Sequence, residues 1–438
     1  MKKFTNTGMI VSWLILAGTC LLFFECGADG EKTTTIKVIN QSRWASNIEK
    51  AVDQWNASNP ERRVKLDQLV IGYPQLKNKL MTAAGAGQPP DLSLIDYVWL
   101  AAFAQAGHLA PLDEIDREWF INDYKKDFFP VFQQGEVLDG HLWGVRTQTD
   151  MALLWYRKDW LSQENISPPE TWQDLVRIGK HFQKAQVREQ FGNSQFPLAM
   201  PLGTKARETL VYQLLPLFWS NNGGIFRNGE LILDSQQNVE TLKFLSGLVN
   251  DHKIVSPEAI SFEWNRALQL FATGKAAMAF GGSYEKRMIQ EVSGWNDSEF
   301  SERVGYALIP AGPDGQPSTT AGGMCYVVYE GSPHKELAFE ILKLAVSPEN
   351  MKEFLLETYQ HPPRKSIAET LDEQKYPFLA QTTKYLHKAR TRPSSPEYSD
   401  LSDLIQEMIE NVITGEIEPA SAVRLASEEI LSLMDQSE

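Results

Sequence analysis

Apolar and polar positions follow different rules in different parts of the chain. From Met9 to Phe24 every residue is uncharged and most are apolar; Lys2-Lys3 precedes this run, and Cys26-Gly27 and a polar stretch to Thr35 follow it. A basic start, an apolar centre and an abrupt polar switch describe a secretory signal. The run is about sixteen residues, against the roughly 20 that a spanning helix needs. Two cysteines compete for a lipid anchor. Cys20 follows small residues but leaves an apolar Leu21–Phe24 stub, whereas Cys26 gives a full apolar region and a polar tether, despite Glu25 beside the cleavage point. Cys26 is preferred, and an uncleaved membrane helix is the third option. The expectation is a signal over 1–25 and a tether over 26–35.

Beyond Thr35 the periodicity changes to that of a folded domain. Thr35 to Ile39 alternates as a strand, and Ile48, Val52 and Trp55 then share one helical face before Asn59-Pro60 ends it. Val64, Leu66 and Val70 predict a second strand, Leu76 to Ala84 a helix broken at Gly85-Ala86-Gly87, and Asp91 to Ile95 a third strand. This alternation predicts an α/β fold with a largely parallel sheet. Thr171-Trp172-Gln173-Asp174 reads as a capping box for a helix with Leu175, Ile178 and Phe182 inward. Ser332-Pro333 and Ser347-Pro348 read as caps before a proline at the first helical position. Leu401, Leu404, Ile405, Met408, Ile409 and Val412 form a C-terminal stripe closed by Gly415, with a last helix to Met434.

Composition narrows the classes. About 410 residues after the signal suffice for two domains. Cys325 is the one cysteine well inside the mature chain, so no internal disulfide pair is available. A net charge of -14 without a basic, aromatic-interleaved patch argues against a nucleic-acid partner. The seven histidines are scattered with no metal-ligand spacing, no phosphate loop or nucleophile elbow occurs, and no carboxylate pair stands out for glycoside hydrolysis. A binding protein without cofactor or metal is therefore expected, rather than an enzyme. Eleven tryptophans lie beyond the signal, a surplus that a stacking pocket would use.

Four segments in order carry a family resemblance: Gly85 to Asp91 with Ala104 to Asp113; Gly140 to Asp159 followed by Pro168-Pro169-Glu170-Thr171-Trp172; Phe271 to Met278; and Ala321-Gly322-Gly323-Met324. In these the chain resembles the family 1 extracellular solute-binding proteins, maltose-binding-protein-like sugar-capturing components of ABC importers. The resemblance implies a two-lobe periplasmic-binding-protein-like fold whose lobes are hinged by crossing segments near Val145–Asp150, Ile309–Thr320 and Val346–Asn350. It implies lobe I from 36–146 plus 318–346 and lobe II from 147–317 plus 347–438. It also implies a carbohydrate ligand, ABC permease partners, an exported envelope location with lipid in the bilayer, and a monomer. The same fold binding a polyamine, or a surface glycan-binding adhesin, are the alternatives.

Sugars present hydroxyl edges and C–H faces, so a site needs aromatic platforms with carboxylates and amides around them. Asp96 and Trp99 follow the third strand at a carboxyl end, where open α/β sheets bind ligands, although Trp99 could instead pack on Phe103. At the first crossing Asp150 and Gln148 have suitable chemistry. Relatives often place arginine where Ala152 stands, and Arg146 is an unusual neighbour that could supply the missing cation. Tyr284, after Gly281-Gly282-Ser283, matches a stacking position. Gly322-Gly323 either offers backbone N–H groups to hydroxyls or is a positive-φ turn. Gln41, Arg43 and Trp44 occupy the loop after the first strand. Trp219, Trp264 and Arg364 complete the candidate ligand-binding set.

Overall fold

The structure, a computed structural model, describes residues 33–41 and 45–436. Strand β1 (Thr34–Gln41) buries Ile36, Val38 and Ile39, and helix α1 (Ala45–Ser58) covers it with Ile48, Ala51 and Val52. β2 (Val64–Ile71) lies at the sheet edge, where Leu69 and Val70 stay exposed. α2 (Tyr73–Gly85) turns in Leu76 and Leu80, and β3 (Leu92–Asp96) is buried along its whole length. A strand covered on both faces has no reason to alternate, which is why Leu92, Leu94 and Ile95 read as an apolar run.

After α3 (Pro130–Glu136) and the short β4 (Val145–Arg146), the chain leaves this sheet and forms β5 (Ala152–Arg157) in a second one. The Thr171 hydroxyl accepts from the Asp174 N–H and Asp174 answers the Thr171 N–H, so α4 (Trp172–Phe182) begins with the expected capping box. β6 (Leu198–Ala199), α5 (Glu208–Ser220), α6 (Gln236–Asn250), β7 (Met278–Gly282) and β8 (Val304–Ala307) follow. The chain then passes β9 (Thr319–Thr320) and rejoins the first sheet as β10 (Met324–Val328). α7 (Lys335–Ala345), α8 (Pro348–Thr358), α9 (Pro377–Thr383), β11 (Ala389–Arg390), α10 (Tyr398–Thr414) and α11 (Pro419–Asp435) complete it.

The first sheet has the order β2-β1-β3-β10-β4, with β1 parallel to β2 and β3 but β10 antiparallel to β3 and β4. The second has the order β8-β5-β7-β6, in which β5 is antiparallel to both β7 and β8. The sheets are thus less parallel than strand–helix alternation predicts. Chain arriving from the other lobe enters each sheet in the opposite sense and need not use a βαβ crossover.

The crossings sit where the two sheets approach. Thr147 to Met151 is the first, and the second is narrower than expected. Ile309 and Ser318 bond each other and Gly312 bonds Ser220, which leaves Thr319 to Gly323 as the passage. The third is displaced. α8 packs on α1, where Lys50 meets Glu353 and Asn350 bonds Gln54, so the chain turns back near Gln360-His361, beside Thr149. Ser347-Pro348 marks a helix start, as expected, but a cap carries no information about which lobe receives the helix. Ser332 differs too: its hydroxyl goes to buried Asp91 and the helix begins at Lys335.

Candidate functional site

The carboxyl end of β3, the first crossing, the end of β7 and the start of α5 converge in one place. Asp96, 6% exposed, accepts from the Tyr73 hydroxyl at 2.8 Å and from Arg392 Nη2 at 3.2 Å. Trp99 tilts against the Tyr73 ring at 5.3 Å. Arg392 also reaches Glu208 on α5 at 2.5 Å, and its backbone N–H donates to the Tyr97 hydroxyl at 2.7 Å. Glu208 in turn accepts from Tyr398 and Ser402, both at 2.6 Å. One arginine therefore ties the end of the first sheet to the helices of the second lobe.

Asp150 lies beside this arrangement. Burial raises its carboxyl to about 6, against the opposing pull of the Tyr212 hydroxyl and of Arg392. The Tyr212 and Tyr284 rings stand 6.1 Å apart. Burial, Glu285 and Asp150 hold the Tyr284 phenol well above its usual range, and the Gln213 side chain approaches it. Among the described residues, the Tyr212 hydroxyl and both polar atoms of the Gln213 amide are buried without a partner at ordinary hydrogen-bond distance. Such groups carry a desolvation cost that a ligand hydroxyl would relieve.

The glycines here make room for polar side chains. A Cβ at Gly322 would meet Asp150 Oδ1 at 2.1 Å, and Gly323 has a φ of +119° with the Gln148 carbonyl 2.3 Å from any Cβ. The Gly322 N–H already donates to the Asp150 carbonyl at 2.8 Å, so its expected role as a donor to ligand is corrected: it ties two crossings together. The Gln148 Oε1 accepts from the Met324 N–H at 3.1 Å in a 2% exposed position.

Arg364 departs furthest from expectation. Its Nε donates to the Val346 carbonyl, Nη1 to Asp127 and Nη2 to Asp123, with the Phe128 ring 4.3 Å away and 1% exposure overall. Every face of that guanidinium is engaged within the fold. Arg146, offered as a substitute cation, is also buried, paired with Glu136 at 2.5 Å between the Tyr97 and Phe132 rings, although its Nη2 has no hydrogen-bond partner among the described residues. Gln41 is half-buried at the end of β1, while Trp264 is 41% exposed in the segment before Arg266. Trp219 is 7% exposed and lines a cleft of about 920 Å³ between α3, the end of α5 and 386–394. Arg43, Trp44, Cys20 and Cys26 lie outside the described residues.

Arg392, Glu208, Tyr212, Gln213 and Tyr73 are the residues that sequence reasoning missed. Tyr212 and Gln213 sit in an apolar helix with no local signal. Arg392 follows Lys388 and Arg390 in a short basic run ended by Pro393, which gives no local sign of which cation turns inward.

The profile of the bacterial extracellular solute-binding protein family matches residues 40–352. The chain belongs to that family. This solute-binding protein is similar to the arabinooligosaccharide-binding protein of Bacillus subtilis (strain 168), at 26% identity over 366 residues, 80% of this chain and 77% of that one. It is similar also to the maltotriose-binding protein of Pyrococcus abyssi, at 21% identity over 364 residues, 82% of this chain and 73% of that one. Among solved structures it matches maltose-bound MalE3 of T. maritima with a TM-score of 0.76 at 24% identity, over 91% of this chain and 99% of the other. It matches the GacH receptor of Streptomyces glaucescens with a TM-score of 0.73 at 22% identity, over 92% and 98%. These likenesses establish the two-lobe fold. Among the described residues of the solute-binding protein, no helix is long and apolar enough to cross a membrane.

Proposed function

We propose that this solute-binding protein captures a sugar or oligosaccharide between its lobes and delivers it, unchanged, to the permease of an ABC importer. It acts as an exported monomer held to the membrane through lipid on Cys26, or on Cys20. Lobe I would take 36–146 with 318–358, and lobe II the remainder. The observation that carries the ligand reading is the Asp150–Tyr212–Gln213–Tyr284 group, in which two aromatic rings flank a carboxylate and the Tyr212 hydroxyl and Gln213 amide have no partner at ordinary hydrogen-bond distance among the described residues. Relatives named for oligosaccharides point to the same class. The polyamine alternative is weaker, because Arg392 already occupies the space between Asp96 and Glu208 where a cation would pair.

A thermal-shift screen of mono- and oligosaccharides, followed by calorimetry and chromatography of the recovered ligand, tests this reading, since ligand bound to the native state raises apparent stability. Asp150→Ala should remove a charge-assisted bond worth roughly 1.5–3 kcal/mol, or about tenfold to a hundredfold in affinity, and Tyr284→Ala should weaken binding by loss of a platform. Parent-like binding in both folded variants would place the site elsewhere, and a chemically altered sugar would make the protein an enzyme. Mass spectrometry of membrane-extracted protein should show a lipidated N-terminal cysteine; an unmodified soluble form beginning at Met1 would end the anchoring proposal.

A further inference from the structure

Acidic residues outnumber basic ones by 56 to 42, yet the charged lining of the 920 Å³ cleft consists of three arginines, Arg227, Arg390 and Arg392. Among the described residues no aspartate or glutamate lines it. Arg392 has its charge answered by Asp96 and Glu208 at the inner wall. Arg227 and Arg390 do not: Arg227 donates to the Asn222 carbonyl, Arg390 lies 5.8 Å over the Trp219 ring, and neither is paired with a carboxylate among the described residues. Burial and the nearby charge of Arg227 both push the Arg390 guanidinium below its usual range, so the two cations feel one another.

Arg227 and Arg390 are both exposed and line one cleft; Glu230 stands opposite Arg227 across the 226–231 hairpin, yet neither guanidinium is in ion-pair contact with a carboxylate among the described residues, which leaves both open to an incoming anion. The guanidinium fork suits carboxylate, sulfate and phosphate oxygens alike, and Trp219 beside it offers an aromatic face. The volume lies within the about 300–1,000 Å³ of small-ligand sites. Arg392 forms a common wall between this cleft and the Asp150 group.

We infer that the ligand is an anionic oligosaccharide, and that Arg227 and Arg390 bind its acidic groups in this cleft. The inference rests on the sugar reading above and narrows it. A neutral sugar would leave both cations unanswered; an inorganic anion alone would leave the aromatic face unused.

Calorimetry on the full mature chain with trigalacturonate, a sulfated galactose trisaccharide, neutral galactotriose and inorganic sulfate tests it. An acidic trisaccharide should bind at least about tenfold tighter than the neutral one, with the gap shrinking as salt rises. The preference between trigalacturonate and the sulfated sugar tells carboxylate from sulfate recognition. Arg227→Gln and Arg390→Gln should each narrow the acidic-to-neutral ratio by about tenfold, while Lys384→Gln, on a surface ion pair outside the cleft, should leave it unchanged. Both arginine positions are exposed, so circular dichroism should show intact folds. Equal or tighter binding of the neutral sugar overturns this inference but keeps the sugar reading. Failure of every sugar in the wider screen removes both, and sulfate binding as tightly as the acidic sugars reduces the cleft to a bare anion site.

Discussion

Glu136→Ala is expected to destabilise the fold by about 3–5 kcal/mol, the usual cost of leaving a buried charge without its partner. Glu136 and Arg146 are both fully buried and lie 2.5 Å apart. Glu136 also accepts from the Tyr124 hydroxyl at 2.7 Å, and the Cys325 thiol lies 3.6 Å from the same carboxylate. Arg146 reaches onward to the Gly322 carbonyl in the second crossing. Removing the carboxylate therefore strands a cation between two aromatic rings and loosens the link between α3, β4 and the Gly322-Gly323 passage. Thermal and denaturant melts would measure the loss. The paired replacement Glu136→Leu with Arg146→Met should restore part of it, because the apolar pair leaves no stranded charge while the Tyr124 hydroxyl still loses its acceptor. Equal melting of the single and double variants would show that the pair does not act as a unit.

Arg146 and Arg364 show where sequence and structure part company. Each is a candidate ligand cation on sequence grounds, yet both are buried and paired with carboxylates of the fold, Arg146 with Glu136 and Arg364 with Asp123 and Asp127. The chain position of an arginine tells where its backbone runs, but its partners, Glu136 ten residues away and Asp123 and Asp127 more than two hundred away, are set by tertiary packing. Local signals fared better. The strand–helix rhythm from Thr34 to Asp96, the Thr171 capping box and the Gly415 stop, with its φ of +79°, are written in neighbouring residues and appear as expected. Strand direction was less legible. It depends on which lobe the chain came from, and no periodicity records that. The cationic cleft was invisible for the same reason: Arg227 and Arg390 are 163 positions apart and line one cleft only because β11 pairs with β9 and brings Arg390 over Trp219.

Folding stability should fall as pH rises from 6.5 to 8, and Glu285 should be the cause. Its carboxyl is 1% exposed at the end of β7, where the Trp155 indole donates to it at 3.0 Å and a Cβ at Gly281 would meet it at 1.9 Å. Burial raises this carboxyl from 4.5 to about 8, outweighing the bonds from Gly282 and Trp155 that favour ionisation. The folded chain thus holds a proton that the unfolded chain releases. Stability from this group is complete below about pH 4.5 and is lost as pH climbs through about 8. Asp150, raised to about 6, acts in the same direction at lower pH. His361 opposes them: burial lowers it to about 3, so the fold loses stability as pH falls from 6.5 toward 3. Above pH 6.5 that opposition ends. At about 1.4 kcal/mol per pH unit, easing as the folded group begins to ionise, Glu285 should cost roughly 1.5 kcal/mol between pH 6.5 and 8. Glu285→Gln keeps an acceptor for the Trp155 indole and removes the titration. Its stability should therefore be flatter than the parent's over that interval, and subtracting the two curves cancels every other titrating group. Parallel curves from pH 6.5 to 8 would mean that Glu285 ionises in the folded protein at an ordinary pH, and that the space around Trp155 is wetter than its packing implies.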